Sequence, residues 1–182
     1  MKDTVKRFIY IGLWIAIGLF VIRYVLCKPT YLHEIVGAIG EVISVTLILM
    51  GAYEKWLWRW NPLERTPFIK GNYTGAIEHG YNGKTEKKKV SVSVRQSLLS
   101  IYVKITTNEI TSSTITSSLV RENGEYVLYY TYITNPKSKF SKENPIQYGT
   151  CRLNIINKNE LRGVYWTSQQ TKGDIIFKRS DK

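Results

Sequence analysis

Val90-Ser91-Val92-Ser93-Val94, followed closely by Leu99-Ser100-Ile101-Tyr102-Val103-Lys104-Ile105, alternates apolar and mainly polar side chains through both runs. A period of two puts one face of an extended strand against a core and the other toward solvent. Similar β-branched and aromatic runs recur to the end of the chain, separated by turn residues, and no amphipathic helix of useful length interrupts them. The expected strands are 69–77, 87–96, 98–106, 111–122, 125–134, 146–156, 160–168 and 171–179. Asn123-Gly124 is a strong type I′ hairpin signal between the fourth and fifth. Eight short antiparallel strands with short connections, apart from the stretch 135–145, predict a minimal up-and-down barrel. Gly71-Asn72-Tyr73-Thr74-Gly75 places two glycines on one face, as a strand bending across a barrel requires.

Upstream the composition is different. Residues 8–26 are apolar except for Arg23, and residues 32–53 are apolar except for a few polar groups, chiefly Glu34 and Glu41. Each run reaches the ~20 residues that a helix needs to cross hydrocarbon. Only Cys27-Lys28-Pro29-Thr30-Tyr31 joins them, so the pair is expected to be an antiparallel transmembrane hairpin. It ends in Glu54-Lys55-Trp56-Leu57-Trp58-Arg59-Trp60, an interfacial aromatic belt. The expected organisation is a two-helix transmembrane hairpin over 1–60, a stiff linker over 61–68 carrying Asn61-Pro62 and Thr66-Pro67, and an all-β eight-stranded antiparallel barrel over 69–182. Lys2, Lys6, Arg7, Lys55, Arg59, Arg65 and Lys70 flank one side of the hairpin and Lys28 alone the other. That asymmetry predicts a two-pass membrane protein with both termini in the cytoplasm.

A charge in hydrocarbon costs roughly 3 kcal/mol or more, so the polar residues of the hairpin need partners. Counted from the centre of the turn, Arg23 and Glu34 fall at equal depth and are expected to pair. Glu41 falls opposite Ala16 without a basic partner, which leaves a protonated carboxyl bonded within its own hairpin, contact with a neighbouring subunit, or a polar path through the membrane. Gly12 and Ala16 form a small-xxx-small pattern that favours close helix contact.

The chain carries 26 Lys/Arg against 14 Asp/Glu, a net charge of +12. Seven of those cations lie in residues 1–60, so most of the basic charge belongs to the barrel and favours anionic lipid or a polyanion. The two cysteines, Cys27 and Cys151, and the two histidines, His33 and His79, are isolated in sequence. No disulfide framework, metal centre or catalytic constellation can be assembled from them, and neither a cofactor nor an enzymatic activity is expected. Aromatic and basic residues are instead interleaved: Tyr102 with Lys104, Tyr148 with Arg152, and Arg162 with Tyr165 and Trp166. A π face for stacking beside a cation for phosphate is the chemistry that a nucleotide needs, and these seven are the expected ligand contacts.

The order of parts resembles the two-transmembrane β-barrel effectors of bacterial cyclic-oligonucleotide antiphage signalling (CBASS). The resemblance rests on the basic N-terminus, the hairpin, the Trp-rich segment, the Gly71-Asn72-Tyr73-Thr74-Gly75 opening and the closing Leu161-Arg162-Gly163-Val164-Tyr165-Trp166-Thr167 and Lys172-Gly173-Asp174-Ile175-Ile176-Phe177-Lys178-Arg179. It implies a cytoplasmic barrel that recognises a cyclic di- or trinucleotide made by a partner nucleotidyltransferase. It further implies a place in the bacterial inner membrane, ligand-driven homo-oligomerisation of the hairpin and disruption of that lipid bilayer. The competing expectations are a membrane-anchored lipid or fatty-acid binding barrel, which needs an aliphatic interior, and a structural subunit, which needs a filled one.

Overall fold

A computed structural model describes residues 2–81, 84–142 and 144–180. The chain packs as two compact units, one helical (Met1–Thr66 with Ser97–Leu99) and one of strands (Pro67–Gln96 with Ser100–Lys182).

In the helical unit α1 (Lys2–Cys27) and α2 (Leu32–Lys55) form a hairpin, and a single 3-10 turn, Leu57–Trp60, follows. Both helices are long and apolar enough to cross a membrane. They leave a series of large apolar side chains exposed, among them Ile9, Trp14, Val21, Leu47 and Ile48. Gly12 lets the helices approach, since a Cβ there would lie 3.2 Å from the Met50 Cε. The small residue is thus used inside the hairpin. Near the open end of the hairpin Arg7 pairs with Glu64 at 3.0 Å, and Glu64 also accepts from the Thr66 amide and hydroxyl. Of the three tryptophans expected as a belt, Trp56 and Trp60 are exposed but Trp58 is buried.

The ion pairing differs from the expectation. Arg23 pairs with Glu41, its Nε donating to Oε2 at 2.7 Å, whereas Glu34 accepts from the Thr30 and Tyr31 amides at 2.8 and 3.1 Å and caps its own helix. Counting residues from the turn places only the Cα atoms. Side chains lean toward the N-terminus of their helix, so in an antiparallel pair Arg23 leans away from the turn and Glu41 toward it, and the two converge. The same lean takes Glu34 back to the amides of Thr30 and of the N-cap Tyr31, just before α2 begins.

The strands are β1 (Gly71–Tyr81), β2 (Lys84–Gln96), β3 (Ile101–Thr106), β4 (Ile110–Glu122), β5 (Glu125–Pro136), β6 (Tyr148–Asn157), β7 (Glu160–Thr167) and β8 (Lys172–Arg179). Each pairs antiparallel with the next, and β8 pairs with β1, giving a closed barrel without a free edge. Asn123 and Gly124 have φ of 48° and 89° and close the β4–β5 hairpin as its sequence implies. The third strand starts at Ile101 rather than Leu98, because the Leu98 amide donates to the Glu54 carbonyl at 3.0 Å instead of joining the sheet. The β3–β4 ladder ends at Lys104↔Ser113. Beyond it hydroxyls take over: Thr114 Oγ1 bonds the amide and carbonyl of Val103, each at 2.9 Å, and Ser117 donates to the Ile101 carbonyl at 2.6 Å.

Alternation fills the barrel. Val90, Val92 and Val94, Ile101, Val103 and Ile105, Leu128 and Tyr130, Leu153, Leu161, Ile175 and Phe177 are buried in one core. One end is plugged. The Ile69 amide donates to Gln96 Oε1 at 2.7 Å, Gln96 Nε2 donates to the Pro67 carbonyl at 2.8 Å, and the buried Tyr73 hydroxyl donates to the Ile69 carbonyl at 2.7 Å.

Candidate functional site

The other end of the barrel is open, at the C-terminal ends of β1, β3, β5 and β7. Its mouth holds a cavity of about 220 Å³. Ile77, Ile105, Ile110 and Ile175 contribute apolar wall, Ser112, Thr134, Gln147, Thr167 and Thr171 polar wall, and Tyr132, Tyr165 and Cys151 the inner part. The rim is knitted by Glu109 in the β3–β4 turn. Its carboxylate accepts from Lys88 Nζ at 2.6 Å and Asn144 Nδ2 at 3.4 Å, and its carbonyl accepts from the Lys137 amide at 2.9 Å.

The two tyrosines are set by glycines across the sheet. Tyr132 pairs with Gly149 and Tyr165 with Gly173 in the ladder. A Cβ at Gly149 would overlap the Tyr132 ring and hydroxyl, and one at Gly173 would sit 2.8 Å from the Tyr165 ring while also striking the Glu78 carbonyl. Each ring therefore lies across a glycine that has no side chain to displace it.

The inner wall is neutral. Burial pushes the Cys151 thiol up to about 12, only partly offset by its hydrogen bond with Tyr130. Burial likewise raises Tyr132 and Tyr165, with Cys151 adding to both. Near neutral pH these groups are hydroxyls and a thiol, and the lining cation, Lys88, is already ion-paired. No group of three or more His, Cys, Asp or Glu residues that could hold a metal occurs among the described residues.

Of the seven expected contacts only Tyr165 lines this cavity. Tyr102, Lys104, Tyr148, Arg152, Arg162 and Trp166 have the opposite parity to the buried Val103, Cys151, Leu153 and Leu161 of their strands, so they face the outer wall. Arg152 is engaged there. It donates to Tyr129 Oη at 2.9 Å, Asn154 Oδ1 at 2.8 Å and Glu122 Oε2 at 2.8 Å, and Tyr129 donates to Glu122 Oε1 at 2.8 Å. The Arg152 and Tyr129 bonds hold the Glu122 carboxyl below the usual carboxylate range. Reading aromatic and basic residues together on one strand passes over the alternation, and with it the mouth-lining Tyr132, Cys151, Ser112 and Gln147. Parity with the buried residues of the same strand, Tyr130 for Tyr132, Leu153 for Cys151 and Leu161 for Tyr165, is the signal that marks the inward positions.

A wider groove of about 890 Å³ lies on the outer wall along β1 and β2, lined by Lys87, Lys89, Lys178 and small residues. Its described lining carries no aromatic ring on which a base could stack.

Residues 64–179 match the family described as Cap15, cyclic dinucleotide receptor domain. The chain belongs to the Cap15 family. CD-NTase-associated protein 15 of Staphylococcus schleiferi is 34% identical to it over 182 residues, covering 98% of this chain and 99% of the relative. The Cap15 match runs through all of β1 to β8, so it contains the whole barrel and its mouth.

Proposed function

We propose that this Cap15 chain is an antiphage effector whose barrel binds a cyclic dinucleotide at its open mouth and whose two helices cross the bacterial inner membrane. The observation that carries the reading is a receptor-family match that covers a barrel with one plugged end and one open, tyrosine-lined end. The ligand is supplied by a partner nucleotidyltransferase. Binding gathers the hairpins into a homo-oligomer and the membrane is disrupted. Both termini are cytoplasmic, in keeping with the Lys/Arg asymmetry of the hairpin flanks. The exposed apolar surface of α1 and α2 supports insertion, because water does not tolerate so large a contiguous apolar patch on a soluble protein.

A lipid-binding barrel fits less well. An acyl chain needs a deep apolar tube, and beneath the mouth Tyr130, Leu128, Leu153 and Phe177 are packed to 1% exposure or less.

Isothermal titration of the full chain in detergent with a panel of cyclic di- and trinucleotides tests the reading. Saturable binding of a cyclic dinucleotide is expected. Binding of fatty acids with no response to any cyclic nucleotide would replace it with the lipid reading.

A further inference from the structure

The receptor reading leaves open how much of the ligand the barrel encloses. Pockets that bury most of a drug-sized ligand run to about 300–1,000 Å³, and the mouth offers about 220 Å³. A cyclic dinucleotide comprises two bases and a ring of two riboses and two phosphates, so the mouth can take only part of it.

The chemistry of the wall says which part. Thr167 and Thr171 bond each other at 2.6 Å, Thr134 is tied to Gln147 backbone groups, and Thr107 caps the amides of Glu109 and Ile110. The Ser112 hydroxyl, the Gln147 side-chain amide and the Tyr132 and Tyr165 hydroxyls are left without a bond to any described group. These are uncharged donors and acceptors beside two aromatic rings and an isoleucine wall. That set suits the edge and faces of a neutral, planar base. It does not suit a phosphate, because Lys88, the cation among the described lining residues, is held by Glu109 at 2.6 Å. The exposed lysines Lys137, Lys139 and Lys142 of the β5–β6 connection and Lys172 at the start of β8 belong to the same end of the barrel, outside the cavity.

We propose that the mouth is a half-site. One base enters and is gripped by Tyr132, Tyr165, Ser112 and Gln147, the sugar–phosphate ring stays at the lysine rim, and the second base points outward into the mouth of a second copy of this chain. The ligand carries its two bases on a two-fold ring, so two identical mouths facing one another satisfy it with a closed, isologous arrangement. The site of one chain is then incomplete without the other, and the ligand itself is the cross-link.

This inference rests on the receptor reading, and its test separates the two. The full chain in detergent is titrated with cyclic dinucleotides bearing two identical bases, and the ratio of ligand to chain is read by calorimetry and by native mass spectrometry of the barrel-bound species. One ligand per two chains is expected, whatever association the helices show by themselves. Gln147→Ala, in a surface connection, and Tyr165→Phe, which keeps the ring over Gly173, are each expected to weaken binding roughly tenfold with an unchanged circular dichroism spectrum. One ligand per chain overturns the half-site while leaving the receptor reading in place, whereas parental affinity in both variants overturns the half-site together with the placement of the ligand at the mouth. Failure of every cyclic dinucleotide to bind overturns both.

Discussion

Gly149 lacks the atom that would collide with Tyr132, and the position of that ring decides the shape of the mouth. Gly149→Ala is therefore expected to push Tyr132 off its cross-strand seat. Overpacking of this kind costs about 1–3 kcal/mol, read as a lower denaturation midpoint, and ligand affinity should fall in the same variant. Parental stability and affinity would mean that the ring has another place to lie. Cys151 and Cys27 differ by environment: Cys27 is exposed at the end of α1, whereas the buried Cys151 thiol stays protonated up to about 12. A thiol reagent at mildly alkaline pH is expected to label Cys27 in the folded chain and Cys151 only after unfolding. The same burial sets a pH dependence. An acid raised in the folded state, from 9.0 to about 12 for Cys151, stabilises fully below its unfolded value and loses that contribution as pH rises through the folded one. Tyr73, Tyr130, Tyr132 and Tyr165 are shifted in the same direction. Denaturation midpoints should hold up to about pH 9 and decline between there and about pH 12, and a midpoint that rises over that range would contradict the buried, neutral tyrosine cluster.

At the scale of elements the strands are legible from sequence because their period is two and one face is buried. Val90, Val92 and Val94 or Leu153 and Ile155 announce an inward face, and Asn123-Gly124 announces a turn that needs positive φ twice. The candidate site is less legible. It is assembled from all eight strands and three of the connections between them, and nothing local tells Tyr165 from Trp166 except parity carried over from Leu161. Pairing in the hairpin depends on side-chain direction, which residue counting omits, and so Glu34 is a cap and Glu41 the partner of Arg23. That pair changes what a substitution at Glu41 should do. Removing one partner strands the other within an apolar span, where a lone charge costs about 2.5–3.5 kcal/mol. Glu41→Leu and Arg23→Leu are each expected to reduce membrane insertion or yield, and the double substitution to recover it. A double variant as poor as the worse single one would show that the pair is not what tolerates these charges.

For the whole molecule the proposed function gives the two units separate tasks, and that division can be tested by asking which substitutions break which step. The mouth is built wholly within the strand unit, and the Arg23–Glu41 pair wholly within the helical one. If the barrel is the receptor and the helices the effector, ligand binding and membrane damage should fail separately. Gln147→Ala and Tyr165→Phe are expected to shift dye release from liposomes to roughly tenfold higher ligand concentration, the equivalent of about 1.4 kcal/mol, with the maximal release unchanged. The Arg23→Leu/Glu41→Leu protein, once inserted, is expected to bind ligand as the parent does and to release less dye at saturation, since the polar groups available for contact between hairpins are gone. Lys104→Ala and Trp166→Ala, on the outer wall, are expected to change neither the affinity nor the release by more than about twofold, in line with surface substitutions away from any packed or bonded feature. If the outer-wall changes abolish release while the mouth variants behave as the parent, the ligand binds outside the barrel. The basic groove along β1 and β2 then becomes the site to examine, because it adjoins Lys104 on the neighbouring strand through the Ser93↔Lys104 pair.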